Sequence, residues 1–531
     1  MDATYIDYQS TNSFSPTVIL YLKNDAALKP FYSYCPDFDG FRQLLQHKKN
    51  TCKRSILTEA LNAQYEKLPV KEVSELTLNN LSLLKQENTF TVTTGHQLNI
   101  FTGPLYFIFK IVTAINLAKD LKSEFPDKNF VPVYWMASED HDFAEINHTQ
   151  IGGKKVAWNE EVSGATGRIL TKGIREALNQ YKGVLGIENH AEELSKLVET
   201  AYTKFEKLAD ATRYLVNSLF SKFGLVILDA DDSRLKQEFA PIIEEDIINQ
   251  NSFKNISATN KKLEELGIHI QVNPREINFF YLLNEVRERI VFEDNQYKVL
   301  NTETAFSEEE LKAEIASFPE RFSPNVVMRP LYQEVILPNI AYIGGGAEVV
   351  YWLELKANFE FYGIDFPILI LRNSGLIVSK RAVEKVEKMG LTLPDFFQGT
   401  DILKTDWIKA NSQNQLQLKQ EWQELSQVFE RMKLQNSKID PTLVPSTEAI
   451  QKRLEHAVFN LEKKLVKAEK RNYETRLNQI DQVKNELFPG GNLQERNENF
   501  GLFYVKQGPE LINQLVKHFK PLDFKFTILT E

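Results

Sequence analysis

The stretch from Thr91 to His148 constrains the fold of this 531-residue chain more than any other part of it. A β-branched and aromatic run, Thr89-Phe90-Thr91-Val92-Thr93, reads as a strand that stops at Gly95, in a polar turn running from Thr94 to Pro104. Residues 105–121 then carry Tyr106, Ile108, Phe109, Val112, Ile115 and Leu117 at helical spacing, and Pro126 lies on the way back to a second strand over residues 131–136. That strand runs into Ser138-Glu139-Asp140-His141-Asp142. A strand-helix-strand unit crosses over right-handedly into parallel pairing, so both polar turns are expected at one edge of one sheet. It is the carboxyl edge, where open α/β sheets bind ligands.

More pieces of the same kind follow. Residues 223–228, 340–343 and 366–371 are apolar strands, ending respectively in Asp229-Ala230-Asp231-Asp232, Gly344-Gly345-Gly346 and Arg372-Asn373-Ser374. A helix is expected over residues 347–356. Apolar strands alternating with helices predict an α/β fold, a parallel sheet covered on both faces. The core is expected over residues 1–404, interrupted by mixed charged insertions near 151–220 and 235–325. Over 405–488 the composition turns to Gln, Glu, Lys and Leu. Leu418, Trp422, Leu425, Phe429 and Met432 keep coiled-coil spacing, as do Leu454, Val458, Leu461, Leu465 and Ala468, with Pro441 and Pro445 between the runs. An antiparallel hairpin is predicted, with a seam able to continue onto a second chain as a homodimer. Residues 489–531 read as a segment returning to the core.

Bulk properties narrow the partners. A net charge of -9 argues against a general nucleic-acid or anionic-membrane surface. Residues 105–118 include Lys110 and are too short to span a bilayer, and the first residues lack the pattern of a signal peptide. Cys35 and Cys52 stand outside any CxxC or metal pattern, so inert thiols in a reducing cytoplasm are expected.

The His141 turn is the strongest chemical signal, because a cluster of acids with His141 and His148 after an apolar strand is costly without solvent or ligand. His141 is the expected general base, oriented by Asp140 or Asp142, or the carboxylates hold an amine. The spacing matches no HExxH-like pattern and no metal is predicted. In the His96 turn, Gln97 and Asn99 supply polar contacts, with Gly95 and Gly103 admitting a ligand closely. Gly344 and Gly345, before a helix, are a second candidate anion seat, without the Lys of a Walker loop. Arg372, at a strand end, is expected to pair with a ligand carboxylate or phosphate, beside Asn373 and Ser374. Trp135, Ser138, Glu139, Asn147 and Tyr342 complete the expected substrate-binding set, and His96 joins Asp140, His141 and Asp142 as candidate catalytic residues. Gly-rich turns at helix starts predict a nucleotide, ATP or ADP.

Thr94-Gly95-His96-Gln97 through Phe101-Thr102-Gly103-Pro104-Leu105-Tyr106, with Pro132-Val133-Tyr134-Trp135, Glu139-Asp140-His141-Asp142-Phe143, Arg329-Pro330-Leu331-Tyr332-Gln333 and Ala341-Tyr342-Ile343-Gly344-Gly345, resemble the BshC family, the cysteine-adding ligase of bacillithiol synthesis. The resemblance covers nearly the whole chain. It implies a Rossmann-like core similar to class I aminoacyl-tRNA synthetases, with the His96 turn in the place of their HIGH motif, and a dimerising coiled coil. The implied reaction joins the carboxyl of cysteine to the amine of glucosaminyl malate. Two other readings remain open: a nucleotidyl or phosphoryl transferase, which needs a Lys-bearing phosphate loop, and a non-catalytic nucleotide-sensing platform for the coiled coil.

Overall fold

Four threonines in strand β1 (Thr89–His96) sit in the middle of a buried sheet, and the partners of their hydroxyls explain how. Thr91 and Thr93 donate to Asn339 Oδ1 at 3.0 and 2.8 Å, and Thr94 donates to the Ile343 carbonyl at 3.0 Å. Hydroxyls cut off from water by the sheet are thus paired across it. Helix α1 (Tyr106–Glu124) follows, then β2 (Asn129–Met136), β3 (Val226–Asp229), α2 (Ser233–Asn249), β4 (Phe279–Leu282), β5 (Arg287–Glu293), α3 (Arg329–Ile336), β6 (Asn339–Gly344), α4 (Gly346–Leu353) and β7 (Ile368–Leu371).

The central sheet has the order β7-β6-β1-β2-β3, and all of its pairs are parallel. The chain steps from β1 to β2 and β3 on one side, and later to β6 and β7 on the other. Loops leaving β1 and β6 therefore diverge, which opens a crevice at their carboxyl ends. Strands β4 and β5 belong to a separate five-stranded antiparallel sheet within the segment between β3 and β6.

These coordinates are a computed structural model that describes residues 1–49, 52–414 and 416–531. The chain divides into two units: Met1–Gln9, Ser13–Leu376 and Asn492–Leu529 form the first, and Ser10–Asn12, Ile377–Gly491 and Thr530–Glu531 the second. Strand β1 continues past the predicted stop at Gly95, because Gly95 and His96 pair with Trp135 and Met136 of β2. Strand β3 starts at Val226, not at residue 223, since Gly224 turns the chain with a φ of 77°.

In the second unit, α5 (Lys419–Ile439) and α6 (Leu443–Asn472) form the hairpin. Asn436 donates to Thr447 at 2.8 Å and Gln451 to Ser426 at 3.1 Å, a pairing that only antiparallel helices give. Pro441 lies in the connection, but Pro445 falls in the first turn of α6, where a missing N–H costs nothing. Phe429 and Val466 are buried, while Leu434, Ile439 and Ile450 are 65%, 73% and 56% exposed. Among the described residues no helix is long and apolar enough to cross a membrane.

Candidate active site

The two polar turns meet at the carboxyl edge of β1 and β2. The Ala137 N–H donates to the His96 carbonyl at 3.0 Å, and Gln97 Nε2 donates to both Asp140 Oδ2 and Glu145 Oε2 at 2.7 Å. Asn99 reaches the Glu145 carbonyl at 3.3 Å. The His96 turn itself is strained: Phe101, Thr102 and Gly103 have φ values of 52°, 71° and 62° in succession. A non-glycine residue rarely adopts such values, so surrounding structure must impose them. Asn499 does so from the C-terminal segment, donating to the Phe101 and Gly103 carbonyls at 2.8 and 2.6 Å and accepting from Tyr181 Oη and the Gly501 N–H at 2.8 Å each. Gly103 serves this turn and not a ligand, because a Cβ there would lie 2.5 Å from that of Asn99.

Two cavities open at this edge. The larger, of about 430 Å³, is lined by Glu139, Asp140 and His141 of the second turn together with Arg275, Arg287 and Arg289. The smaller, of about 310 Å³, lies at the divergence of β1 and β6 and is lined by Gly95, His96, Gln97, Tyr106, Lys110, Tyr342 and Glu348 among others. Trp135, Ala137, Val326 and Arg329 border both.

In the larger cavity Arg287 donates to His141 Nδ1 at 2.6 Å and to Ser323 Oγ at 3.1 Å, with its guanidinium 4.0 Å from the Phe280 ring. A guanidinium has no lone pair, so the bond places the imidazole's only free pair at Nδ1 and its proton at Nε2. The acid expected to orient His141 is differently engaged. Asp140 lies 3.7 Å from Nδ1 and accepts from the His141 N–H at 2.8 Å, whereas Asp142 caps the short helix Phe143–Ile146 by accepting from Glu145 N at 3.1 Å. Burial pushes the Glu139 carboxyl up, against the opposing pull of its buried partner Lys236. Ser138 donates to Asp229, whose carboxyl burial and Asp231 also push up. Asp231 in turn is gripped by Arg168 through bonds of 2.7 and 2.8 Å. Ser138 and Glu139, which line this cavity, are thus tied to charged groups whose cations, Arg168 and Lys236, come from two insertions.

In the smaller cavity, Lys110 projects from near the start of apolar α1, donating to the Gly95 carbonyl at 2.9 Å and pairing with Glu348. Glu348 also accepts from Tyr342 Oη and the Gly345 N–H, both at 2.8 Å. Burial pushes the Glu348 carboxyl upward, but Lys110 and these donors outweigh it and hold it below the usual range. The helix start at Gly344 and Gly345, expected as an anion seat, therefore holds the chain's own carboxylate. His96 is pushed down to about 3, first by burial and then by Lys110, so it is neutral near pH 7. Its Nε2 is buried without a partner.

Other expected residues sit apart. Arg372 is buried on Glu495 at 2.7 Å and is not left for a ligand; Asn373 bonds Thr113 and the Lys520 carbonyl, and Ser374 Oγ accepts from Arg372. None of these three, nor Asp142, Asn99, Asn147, Gly103, Gly344 or Gly345, lines either cavity. Asn147 bonds His148 Nδ1 at 3.0 Å. Sequence reasoning missed Arg287, Lys236 and Glu348, whose partners are far away in the chain. The signal for Lys110 was present, as a lone charge inside an apolar helix.

A doubly flanked parallel sheet with ligand-sized cavities at its switch point, followed by a helical hairpin, defines a Rossmann-like protein with a coiled-coil appendage. The model of the family "Bacillithiol biosynthesis BshC, N-terminal Rossmann-like domain" matches residues 1–373, and that of its C-terminal coiled-coil domain matches residues 375–531. The chain belongs to the BshC family. It is 44% identical to a Flavobacterium psychrophilum protein over 100% of this chain and 99% of that one, and 43% identical to a Flavobacterium johnsoniae protein over 100% of both. A Bacillus mycoides relative is 26% identical over 96% of this chain and 97% of its own. All three carry the name "Putative cysteine ligase BshC". A solved Campylobacter jejuni chain described as an arginyl-tRNA synthetase aligns over 83% of this chain and 97% of its own at 12% identity, with a TM-score of 0.22, too low to bear on the fold.

Proposed function

We propose that this chain is a ligase that joins L-cysteine through its carboxyl group to the amino group of glucosaminyl malate, forming bacillithiol. The observation that carries the reading is the gathering of both signs of charge in the larger cavity, which Glu139, Asp140, Arg275, Arg287 and Arg289 all line. Both substrates present ammonium and carboxylate groups, and malate in particular suits a fork of guanidinium donors. An anion that draws Arg287 away frees the Nδ1 lone pair of His141 to take the proton of the attacking amine. His96 and Gln97 line the smaller cavity as polar contacts. Amide formation from a free carboxylate in water needs an activated acyl group, so we take ATP as cosubstrate and test it by calorimetric titration with ATP and ADP.

A second copy covers the apolar residues that the hairpin leaves exposed, giving a homodimer. The setting is the cytoplasm, in keeping with the free thiols Cys35 and Cys52. Deleting the gene tests the reaction: cells should lose bacillithiol and accumulate glucosaminyl malate, and the intact gene should restore both. Unaltered thiol in the deletion strain would overturn it.

A further inference from the structure

Arg372 and Arg168 of the first unit are paired with carboxylates of the chain itself, Arg372 with Glu495 and Arg168 with both oxygens of Asp231. Arg329, at the start of α3, is different. Its Nη1 donates to the Gln333 side-chain oxygen at 3.0 Å, and Tyr351 supplies a hydroxyl neighbour. Its Nη2 is buried and has no partner, and no carboxylate among the described residues lies within ion-pair distance. Glu348, the acid that faces it, is engaged by Lys110, Tyr342 and Gly345.

A desolvated charge with a free donor is costly unless something else completes it. The surroundings show where that group would sit. The guanidinium lies 5.6 Å from the Trp135 ring and 5.4 Å from the Tyr342 ring, so aromatic faces fix its plane. It borders both cavities. Gly95 keeps the approach clear, since a Cβ at that position would lie 3.3 Å from Tyr342 Oη and 3.7 Å from Arg329 Nη1.

We propose that Arg329 is a specificity-determining residue that binds the carboxylate of an incoming substrate at the wall shared by the two cavities. This rests on the ligase reading for the identity of the substrates, and not for the existence of the site. A carboxylate there could belong to the amino acid or to the malyl group, which share this chemistry, and paired probes separate them.

The test uses the full-length chain and measures binding of L-cysteine against cysteamine, which lacks the carboxylate, and of L-malate against its diamide. One acid should bind at least tenfold more tightly than its neutral counterpart, and which one does so assigns the substrate. Arg329→Gln should abolish that preference. Arg329→Lys should keep part of it, because charge remains while the forked geometry is lost. Gly95→Ala, at an ordinary backbone angle, should weaken the acid by filling the approach, and it decides the matter if Arg329→Gln fails to fold. Wild-type protein that binds each acid no better than its neutral analogue, an Arg329→Gln protein that keeps the preference, or unweakened binding in Gly95→Ala would each overturn the proposal. A chain with the preference but without bacillithiol synthesis keeps this site and refutes the ligase reading. Synthesis without the preference does the reverse.

Discussion

The carboxyl edge of the central sheet and the helical hairpin solve opposite problems. At the sheet edge several buried polar groups are interlocked: Asn499 holds a turn of three left-handed residues, Arg372 is closed by Glu495, and Lys110 and Glu348 neutralise each other inside an apolar helix layer. In the hairpin the reverse holds, for few side chains of α5 and α6 are buried and large apolar ones face solvent. Shape at the first place is set by specific pairings, each intolerant of loss. At the second it is set by a repeating stripe, tolerant of single changes. A ligand site must be held still, whereas a repeating apolar stripe need only be regular.

The contrast can be broken by substitution. Glu495→Ala leaves Arg372 buried without its counter-ion and should cost about 3–5 kcal/mol. A denaturation midpoint of the first unit close to wild type would show that the pair is not what holds this edge. Asn499→Ala removes the donors and acceptor that impose the strained turn, and should cost about 2–3 kcal/mol while lowering ligase activity through the misplaced Gln97. Unfolding monitored by denaturant, beside a thiol assay, separates the two effects.

The pH dependence sharpens the comparison. The folded chain excludes the proton that His96 takes up below its ordinary value of 6.5 when unfolded, since its folded value is about 3. Its contribution to stability is therefore complete above pH 6.5 and is lost as pH falls toward 3, at up to about 1.4 kcal/mol per pH unit. His96→Gln should flatten that slope, and an unchanged slope would assign the acid sensitivity elsewhere. The smallest effect on stability belongs to the hairpin: Leu434→Gln and Ile439→Gln should each alter it by less than about 0.5 kcal/mol. Combined with Phe459→Glu on α6, where Phe459 is half-exposed, they should nonetheless shift the mass seen by light scattering from two chains to one. A wild-type monomer at micromolar concentration would remove the dimer.

The same contrast explains what was legible. Strands β1, β2 and β7 and the hairpin could be read because alternating, continuous or heptad apolar patterns are local. The shared edge of the His96 and His141 turns followed from crossover handedness alone. Partnerships could not be read. Arg372 carries every mark of a ligand-binding arginine at a strand end, and only the fold brings Glu495 from the C-terminal segment to occupy it. Arg287 arrives at His141 from an inserted sheet whose strands show no motif. Gly103 looks like a glycine cleared for a ligand, yet its φ and the proximity of Asn99 give it a purely conformational task.

The central claim is that the acids and arginines lining one cavity perform the ligation. Its most direct test is bacillithiol measured by mass spectrometry in a deletion strain complemented with wild type, Leu434→Gln or Arg287→Ala, each confirmed as folded and equally abundant. Wild type and Leu434→Gln should restore the thiol, and Arg287→Ala should leave it at least a hundredfold lower with glucosaminyl malate accumulating. Full restoration by Arg287→Ala would contradict the account.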